Sequence, residues 1–333
     1  MIRTAIIGMG TIFDIHFQQL QLLQQVEICG VCDIQEEKRA KAPGIPFYTD
    51  YKQMLAQEKP DCVHICLPHD LHYPVSAYCA EQGCHVLCEK PLADSFENAR
   101  RFIELEEKYP SQVLCLCLQN RYNPSFVHLK SLLESGEYGK RIAVRGQVAW
   151  ARSQAYYQES PWRGDIRRAG SGVLFNQSIH TLDLMLQLMG PLKSVKASVS
   201  HFLDYGIQVE DTVSAAMEFA NGCKGIFFGT VANACNQAVE IWVFAEKATF
   251  LLRGGELFIQ DRDGDLSLLM QDEKADGEKF YYGSSHGLLI EQFYRAVEQG
   301  GQKYIHLHDG FAVMQLMDAM LQSGDGKKME LSC

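Results

Sequence analysis

From residue 3 to residue 118 the chain alternates short apolar runs with amphipathic stretches: 3–8 then 12–24, 26–32 then 35–41, 46–48 then 50–57, 62–67 then 72–82, 84–88 then 95–108, and finally 113–118. A run that is apolar at nearly every position has no solvent face, so it must be covered on both sides. Parallel strands need long crossovers, and an amphipathic helix after each strand supplies them. The order predicts a doubly wound parallel α/β sheet over residues 1–121.

Beyond residue 122 the texture changes. The segments 141–150, 195–202, 212–219, 225–232 and 238–245 read as longer strands with few helices between them. Such a run forms a large, mostly antiparallel sheet, and with helices predicted over 173–189, 286–298 and 309–322 it makes residues 122–333 an α+β domain. The length of 333 residues agrees with two domains, since a single core stops growing at roughly 250–300. No Pro/Gly/Ser-rich linker, internal repeat or low-complexity tract marks the junction.

Composition excludes several classes of function. The apolar runs are broken by Gly, Pro, His or Cys, well short of the roughly 18 residues of a spanning helix, so no membrane span is expected. The stretch from Met1 to Gly8 is too short for a secretory signal and reads as a buried first strand. A formal charge of −10 argues against nucleic-acid binding, which needs clustered Lys and Arg. The 12 cysteines sit inside apolar segments and behave as small core hydrophobes. Cys29-x-x-Cys32 and Cys62-x-His64-x-Cys66 have ligand-like spacing, but no matching pair follows and a covered strand offers no open face, so no metal is expected. Reduced thiols without a signal segment point to the cytoplasm.

Gly8-Met9-Gly10-Thr11-Ile12-Phe13 follows the first strand and opens a helix, the context in which a glycine pattern signals a dinucleotide site. Gly8 permits the tight turn and Gly10 lets the backbone approach a pyrophosphate. The helix start at Thr11 and Ile12 offers N–H groups and dipole to the anion. Phe13 stands where a third glycine is usual. Asp33 ends the second strand, placed to accept hydrogen bonds from ribose hydroxyls or else to cap the following helix. Its neighbours Cys32, Ile34 and Gln35 offer no cation to a 2′-phosphate. The first domain is therefore expected to be a Rossmann domain that binds NAD.

Glu89-Lys90-Pro91 lies at the carboxyl end of the fifth strand, where open α/β sheets bind their ligands. It resembles the Glu-Lys-Pro motif of the glucose–fructose oxidoreductase, inositol dehydrogenase and rhizopine catabolism (Gfo/Idh/MocA) family. The likeness extends, in order, through Leu67-Pro68-His69-Asp70-Leu71-His72, Asn120-Arg121-Tyr122-Asn123-Pro124, Gly136-Glu137-Tyr138-Gly139, the segment from Gly170 to Asp183, and Val209-Glu210-Asp211-Thr212. The resemblance implies that Leu67, Pro68, His69, His72, Glu89, Lys90, Asn120, Trp162 and Arg163 approach the cofactor. It likewise implies that Lys90, Arg121, Tyr157, Asn176 and His180 approach the substrate, with Lys90, His180, Asn176 and Asp183 as the catalytic group. Similar proteins often carry a cis bond before the proline of this motif.

Each of these has a bland alternative. Lys90 beside Glu89 is also what a strand-end salt bridge looks like, His180 is flanked by Ile179 and Leu182 as a core histidine would be, and Tyr156-Tyr157 also suits an exposed aromatic loop. Positions 176, 180 and 183 fall on one face of a regular helix, which favours a polar cluster. The family often has Asp where this chain has Asn176, and an amide cannot take up a proton. Lys90 and His180 remain to handle a hydroxyl proton, with the division between them open.

The implied activity is NAD-dependent hydride transfer at a secondary hydroxyl carbon of a sugar, sugar nucleotide or polyol. Asn176-Gln177 together with Trp162-Arg163-Gly164 most resembles members acting on sugar nucleotides or hexoses at C3. The alternatives are an NAD-dependent glycosidase using transient C3 oxidation and a catalytically silent NAD-binding regulator. Apolar residues at successive positions of 225–229 and 241–244 suggest a sheet covered on both faces. A homodimer or homotetramer through that sheet is therefore expected.

Overall fold

In the computed structural model, which describes residues 1–261, 263–273 and 285–331, the apolar runs of the first 118 residues become one parallel six-stranded sheet. Its chain order is β1 (Ile2–Ile7), α1 (Phe13–Leu22), β2 (Val26–Cys32), β3 (Phe47–Tyr48), α2 (Tyr51–Glu58), β4 (Cys62–Ile65), α3 (His72–Glu81), β5 (His85–Glu89), α4 (Phe96–Lys108) and β6 (Leu114–Cys117). The strands lie in the order β3-β2-β1-β4-β5-β6. Direction across the sheet reverses between β1 and β4, and at such a switch point the loops leaving the strand ends part to form a crevice. Ala5, Ile6, Val63, Ile65, Val86, Leu87, Cys88, Leu116 and Cys117 have at most trace exposure, as a sheet covered on both faces requires. One element differs from expectation: the stretch 35–41 forms a short 3-10 helix, Glu36–Lys41, with no buried residue to anchor a full α-helix.

The second unit begins with α5 (Pro124–Glu134), β7 (Arg141–Ala149), α6 (Gln154–Gln158) and α7 (Ile166–Ala169), and continues into α8 (Ile179–Met189). Then follow β8 (Leu192–Ser200), β9 (Thr212–Phe219), β10 (Lys224–Thr230), β11 (Glu240–Ala245), β12 (Thr249–Arg253), β13 (Glu256–Gln260) and β14 (Leu266–Gln271). The chain closes with α9 (Ser285–Gln299), α10 (Phe311–Ser323) and β15 (Asp325–Glu330). The nine-stranded sheet runs β14-β13-β12-β11-β7-β10-β9-β8-β15. It is antiparallel except where β7 meets β10.

α8 packs on β7, and α5 on β12, β13 and β14. Phe219, Phe227, Val243, Phe250 and Leu257 are fully buried on this side. Gly146 of β7 makes room for the helix, since a Cβ there would run into the Met185 sulfur. The opposite face carries the row Trp242–Arg145–Ile226–Ala216 across β11, β7, β10 and β9. Ile226 on that row is 61% exposed, with Ile142 and Phe228 also open.

The compact units are Met1–Leu118 with His286–Phe311, and Gln119–Ser285 with Ala312–Cys333. The segment 286–311, expected in the second domain, therefore belongs to the first. Its hold is the buried pair Phe293 and Tyr294, with Tyr294 bonded to Thr4 of β1 and His64 of β4. The helix expected over 173–189 is also interrupted. Leu174–Ser178 forms a π-helical turn before α8 begins. Among the described residues no helix is long and apolar enough to cross a membrane.

Candidate active site

The first unit builds its site on the turn after β1. Gly8 has φ +96°, and a Cβ there would overlap the Cys66 carbonyl at the end of β4, so both conformation and space demand glycine. Gly10 has open space where a Cβ would stand, with nothing within 4 Å. Thr11 and Ile12 lead into α1, and Phe13 is fully buried, stacked on Phe17 at 5.2 Å. Hydrophobic packing thus replaces the close approach a third glycine would give.

Asp33 holds the turn from the side. Its Oδ2 accepts the Met9 N–H at 2.7 Å and its Oδ1 the Gln35 N–H at 3.0 Å. Cys32, Ile34 and Gln35 offer no cation, but Lys38, farther along the chain, does: its Nζ lies 3.0 Å from Asp33 Oδ2. A 3-10 helix rises faster and turns more tightly than an α-helix, and it brings this lysine back over the strand end.

β5 delivers Glu89 and Lys90 to the same end of the sheet, with the Lys90–Pro91 bond cis. Glu89 points inward. Its Oε1 lies 2.9 Å from His16 Nε2 and 3.8 Å from His286 Nε2, while Oε2 accepts the Lys90 N–H at 3.2 Å. Burial pushes the acid's pKa up, but the hydrogen bond and charge of His16, with His286 and Lys90, outweigh that and hold it well below the carboxylate range. A carboxylate only accepts, so His16 Nε2 donates.

His16 Nδ1 lies 2.8 Å from His64 Nδ1, and burial holds His64 neutral. His64 Nε2 lies 3.0 Å from the Tyr294 hydroxyl, and Thr4 Oγ1 lies 2.8 Å from that hydroxyl. A continuous hydrogen-bonded chain links Thr4 of β1 to Glu89. Each group has a partner, which a buried polar network requires.

The loop after β4 is fastened to the same turn. His72 spans the Pro91 carbonyl at Nδ1, 2.7 Å, and the Leu67 carbonyl at Nε2, 2.8 Å, while burial pushes its pKa down against the pull of both. Both ring nitrogens are thereby engaged by the chain itself. His72 ties the Leu67 turn to the Pro91 turn. Buried His69 lies beside it, ring centroids 5.7 Å apart.

In the second unit, Asp183 and Arg121 form a bidentate pair at 2.8 and 2.6 Å. Both carboxylate oxygens of Asp183 face that guanidinium, which holds Arg121 against α8. The Gln119 amide nitrogen lies 3.3 Å from His180 Nε2. An amide nitrogen only donates, so it leaves His180 Nε2 in the acceptor form. Asn176 lies in the π turn and His180 on α8. The regular helical spacing used to group positions 176 and 180 therefore does not run between them, although both side chains stay partly exposed.

Tyr157 is buried, and burial pushes its phenol pKa up. Arg163 lies 4.1 Å from the Tyr156 ring centroid and donates to the Tyr156 carbonyl at 3.1 Å. Trp162 and Asn120 are partly exposed in short 3-10 turns.

Several residues essential to this geometry escape sequence reasoning. Glu210 accepts Ser171 Oγ at 2.7 Å and the N–H groups of Gly172 and Leu174 at 2.9 and 3.0 Å, holding the start of the π turn. A Cβ on Gly172 would overlap the Glu210 carbonyl. Asp211 accepts the N–H groups of Phe202 and Leu203 at 2.8 and 2.7 Å. The run Val209-Glu210-Asp211-Thr212 is visible as a motif, but its partners lie up to 39 residues away. His16, His286 and Tyr294 carry no local signal, and the spacing around His64 points to a metal rather than to this network.

Comparison with known proteins adds independent findings. Residues 2–116 match the family model described as "Oxidoreductase family, NAD-binding Rossmann fold", and residues 126–251 match the GFO/IDH/MocA C-terminal domain. D-glucoside 3-dehydrogenase of Escherichia coli is 28% identical, over 99% of this chain and 97% of that protein. Myo-inositol 2-dehydrogenase of Thermotoga maritima is 25% identical, over 98% and 97% respectively. The WlbA dehydrogenase of Bordetella pertussis, crystallised with NADH and UDP-GlcNAcA, superposes with a TM-score of 0.86 at 25% identity, covering 100% of this chain and 99% of that one.

The buried histidines give the first unit a defined acid response. Burial pushes His286 down to about 4 from 6.5. Between those values the unfolded chain binds a proton there that the folded chain refuses, so stability is complete above the unfolded pKa and falls as pH drops toward the folded one. At pH 5 this group costs about 2 kcal/mol. Thermal unfolding of wild type and His286→Gln from neutral pH to about 5 should show a shallower loss in the variant, and parallel curves would remove His286 from the acid response.

Proposed function

The chain belongs to the Gfo/Idh/MocA oxidoreductase family, and from that premise we propose that it transfers hydride between NAD and a secondary hydroxyl carbon of a sugar, sugar nucleotide or polyol. The observation that carries this reading is the pinned Glu89 carboxylate, which sets Lys90 at the end of β5 with a fixed negative charge immediately before it. The Gly8 turn, the open space over Gly10 and the side of Asp33 fit a dinucleotide. Bound there, the nicotinamide supplies the hydride acceptor or donor.

The chain's own residues have the remaining work. Lys90 donates a hydrogen bond to the reacting oxygen and stabilises the alkoxide as the proton leaves. His180, with Nε2 in its acceptor form, is the base that takes the hydroxyl proton. Arg121, fixed by Asp183, together with Asn176 and the Tyr157 segment, orients the polyol. The names of the relatives support the substrate class, and the likeness to WlbA favours a sugar nucleotide within it.

A screen for NADH production over free sugars, sugar nucleotides and inositols identifies the substrate. On it, Lys90→Ala and His180→Ala should each lower kcat by about 10²–10⁴ while NAD affinity changes little. The double variant should lose less than the product of the two, as groups of one proton-transfer unit do. Full turnover by folded His180→Ala protein would leave Lys90 as the only proton carrier. Glycoside cleavage without net NADH would move the chain to the glycosidase chemistry.

Asp33 should make NAD(H) preferred over NADP(H), with Lys38 moderating the discrimination because it meets the same carboxylate. Replacing Lys38 by Ala should widen the preference several-fold, the worth of one partly exposed ion pair. Titration of both cofactors decides, and equal affinities in the wild type would refute the role of Asp33.

The open row around Ile226 and Trp242 supports self-association through the nine-stranded sheet. Light scattering should give a multiple of 37.6 kDa, and Ile226→Asp should shift the mass toward the monomer. A monomeric wild type at micromolar concentration would overturn this.

A further inference from the structure

A second group of ligating side chains lies on α4 and on the segment after α9, apart from the dinucleotide and Glu-Lys-Pro turns. That segment runs beside β6: Cys115 and His306 form an antiparallel bridge, and the Leu116 N–H donates to the Ile305 carbonyl at 2.9 Å. The Glu106 carboxylate is fixed there by the Leu307 N–H at 2.8 Å and the His308 N–H at 3.3 Å. His308 Nδ1 lies 2.8 Å from one oxygen and His306 Nδ1 3.4 Å from the other. One ligand atom from each of the three residues falls within 4.8 Å of the others.

The decisive detail is on the far side of His306. Its Nε2 lies 3.3 Å from the Gln302 carbonyl, and a carbonyl only accepts, so Nε2 carries the hydrogen. A neutral His306 therefore aims the Nδ1 lone pair at a carboxylate oxygen, placing two acceptors face to face. Either a second proton or a shared cation resolves that contact. A ring N–H fastened to a backbone carbonyl, with the other nitrogen free to coordinate, is also the usual outer arrangement of a metal-bound histidine. His308 needs only to give up its Nδ1 proton to join it.

We propose that Glu106, His306 and His308 bind a late divalent transition-metal ion such as Zn²⁺, with water completing the coordination. Two imidazoles and one carboxylate suit this class, whereas Mg²⁺ and Ca²⁺ prefer oxygen ligands throughout. The ion clamps the segment after α9 to α4 and stabilises the first unit by mass action. Other soft ligands differ: Cys117 beside His16 and Glu89 is fully buried, and burial pushes its thiol pKa far up. Cys235 is exposed and serves as the control.

The test is titration of the metal-free, full-length chain with ZnCl₂ alone, read by calorimetry, by metal analysis after dialysis and by the shift in Tm. One Zn²⁺ per chain is expected, with a raised Tm and no response to Mg²⁺ or Ca²⁺. The His308 side chain is 60% exposed, so His308→Ala should fold and lose about tenfold or more in affinity. His306→Gln should do the same, and Cys235→Ser should bind as the wild type does. No binding at tens of micromolar Zn²⁺, or undiminished binding in both histidine variants, would overturn the site. Loss of binding on Cys235→Ser alone would assign the ion to an adventitious thiol.

Discussion

An ionised carboxylate taken out of water costs several kcal/mol unless hydrogen bonds and opposite charge replace its hydration. Glu89 is such a group, and the first unit is arranged around meeting that cost. Thr4 on β1, His16 on α1, His64 on β4, and Tyr294 and His286 on α9 all supply its surroundings. Apolar packing alone would let these elements slide against one another. A polar chain in which every member needs its partner admits one register, so the cluster specifies the layer order as much as it stabilises it. It also explains why a helix nearly 200 residues along the chain from β5 belongs to the first unit.

Most of the first unit is legible in the sequence, because burial on both faces forces strands to be apolar throughout. The expected runs 3–8, 26–32, 62–67, 84–88 and 113–118 each coincide within a few residues with a strand of the parallel sheet. Placing α9 is another matter, since its tie is a tyrosine hydroxyl that meets its partners only after folding. Lys38 is hidden for a similar reason: its place over Asp33 depends on a 3-10 turn, and the sequence 35–41 suits an ordinary helix equally well.

Legibility falls further in the second unit. Strands β8 to β11 show through because one face is buried, but β12, β13 and β14 carry weaker patterns and pass unmarked. Glycine-rich 170–172 signals a turn without signalling its anchor, Glu210. That residue lies buried among Ser171, Gly172 and Leu174, and burial pushes its pKa up despite the hydrogen bonds it accepts. Nothing in the sequence separates such a structural acid from a catalytic one. Asp183 shares a helical face with His180, and its carboxylate also pairs with Arg121, a contact that sequence spacing does not announce.

The π turn at Leu174–Ser178 holds more backbone per revolution than the α-helix that continues from it. Removing one residue there would leave a good helix, since the neighbouring sequence already favours one. It would also rotate everything downstream by about 100° relative to the anchored Gly172. His180 and Asp183 would turn together away from Gln119 and Arg121. The direction in which α8 presents its polar groups is thus encoded in residue number, not residue type. A one-residue deletion here would therefore disturb the site through geometry alone, with every side chain of α8 unchanged.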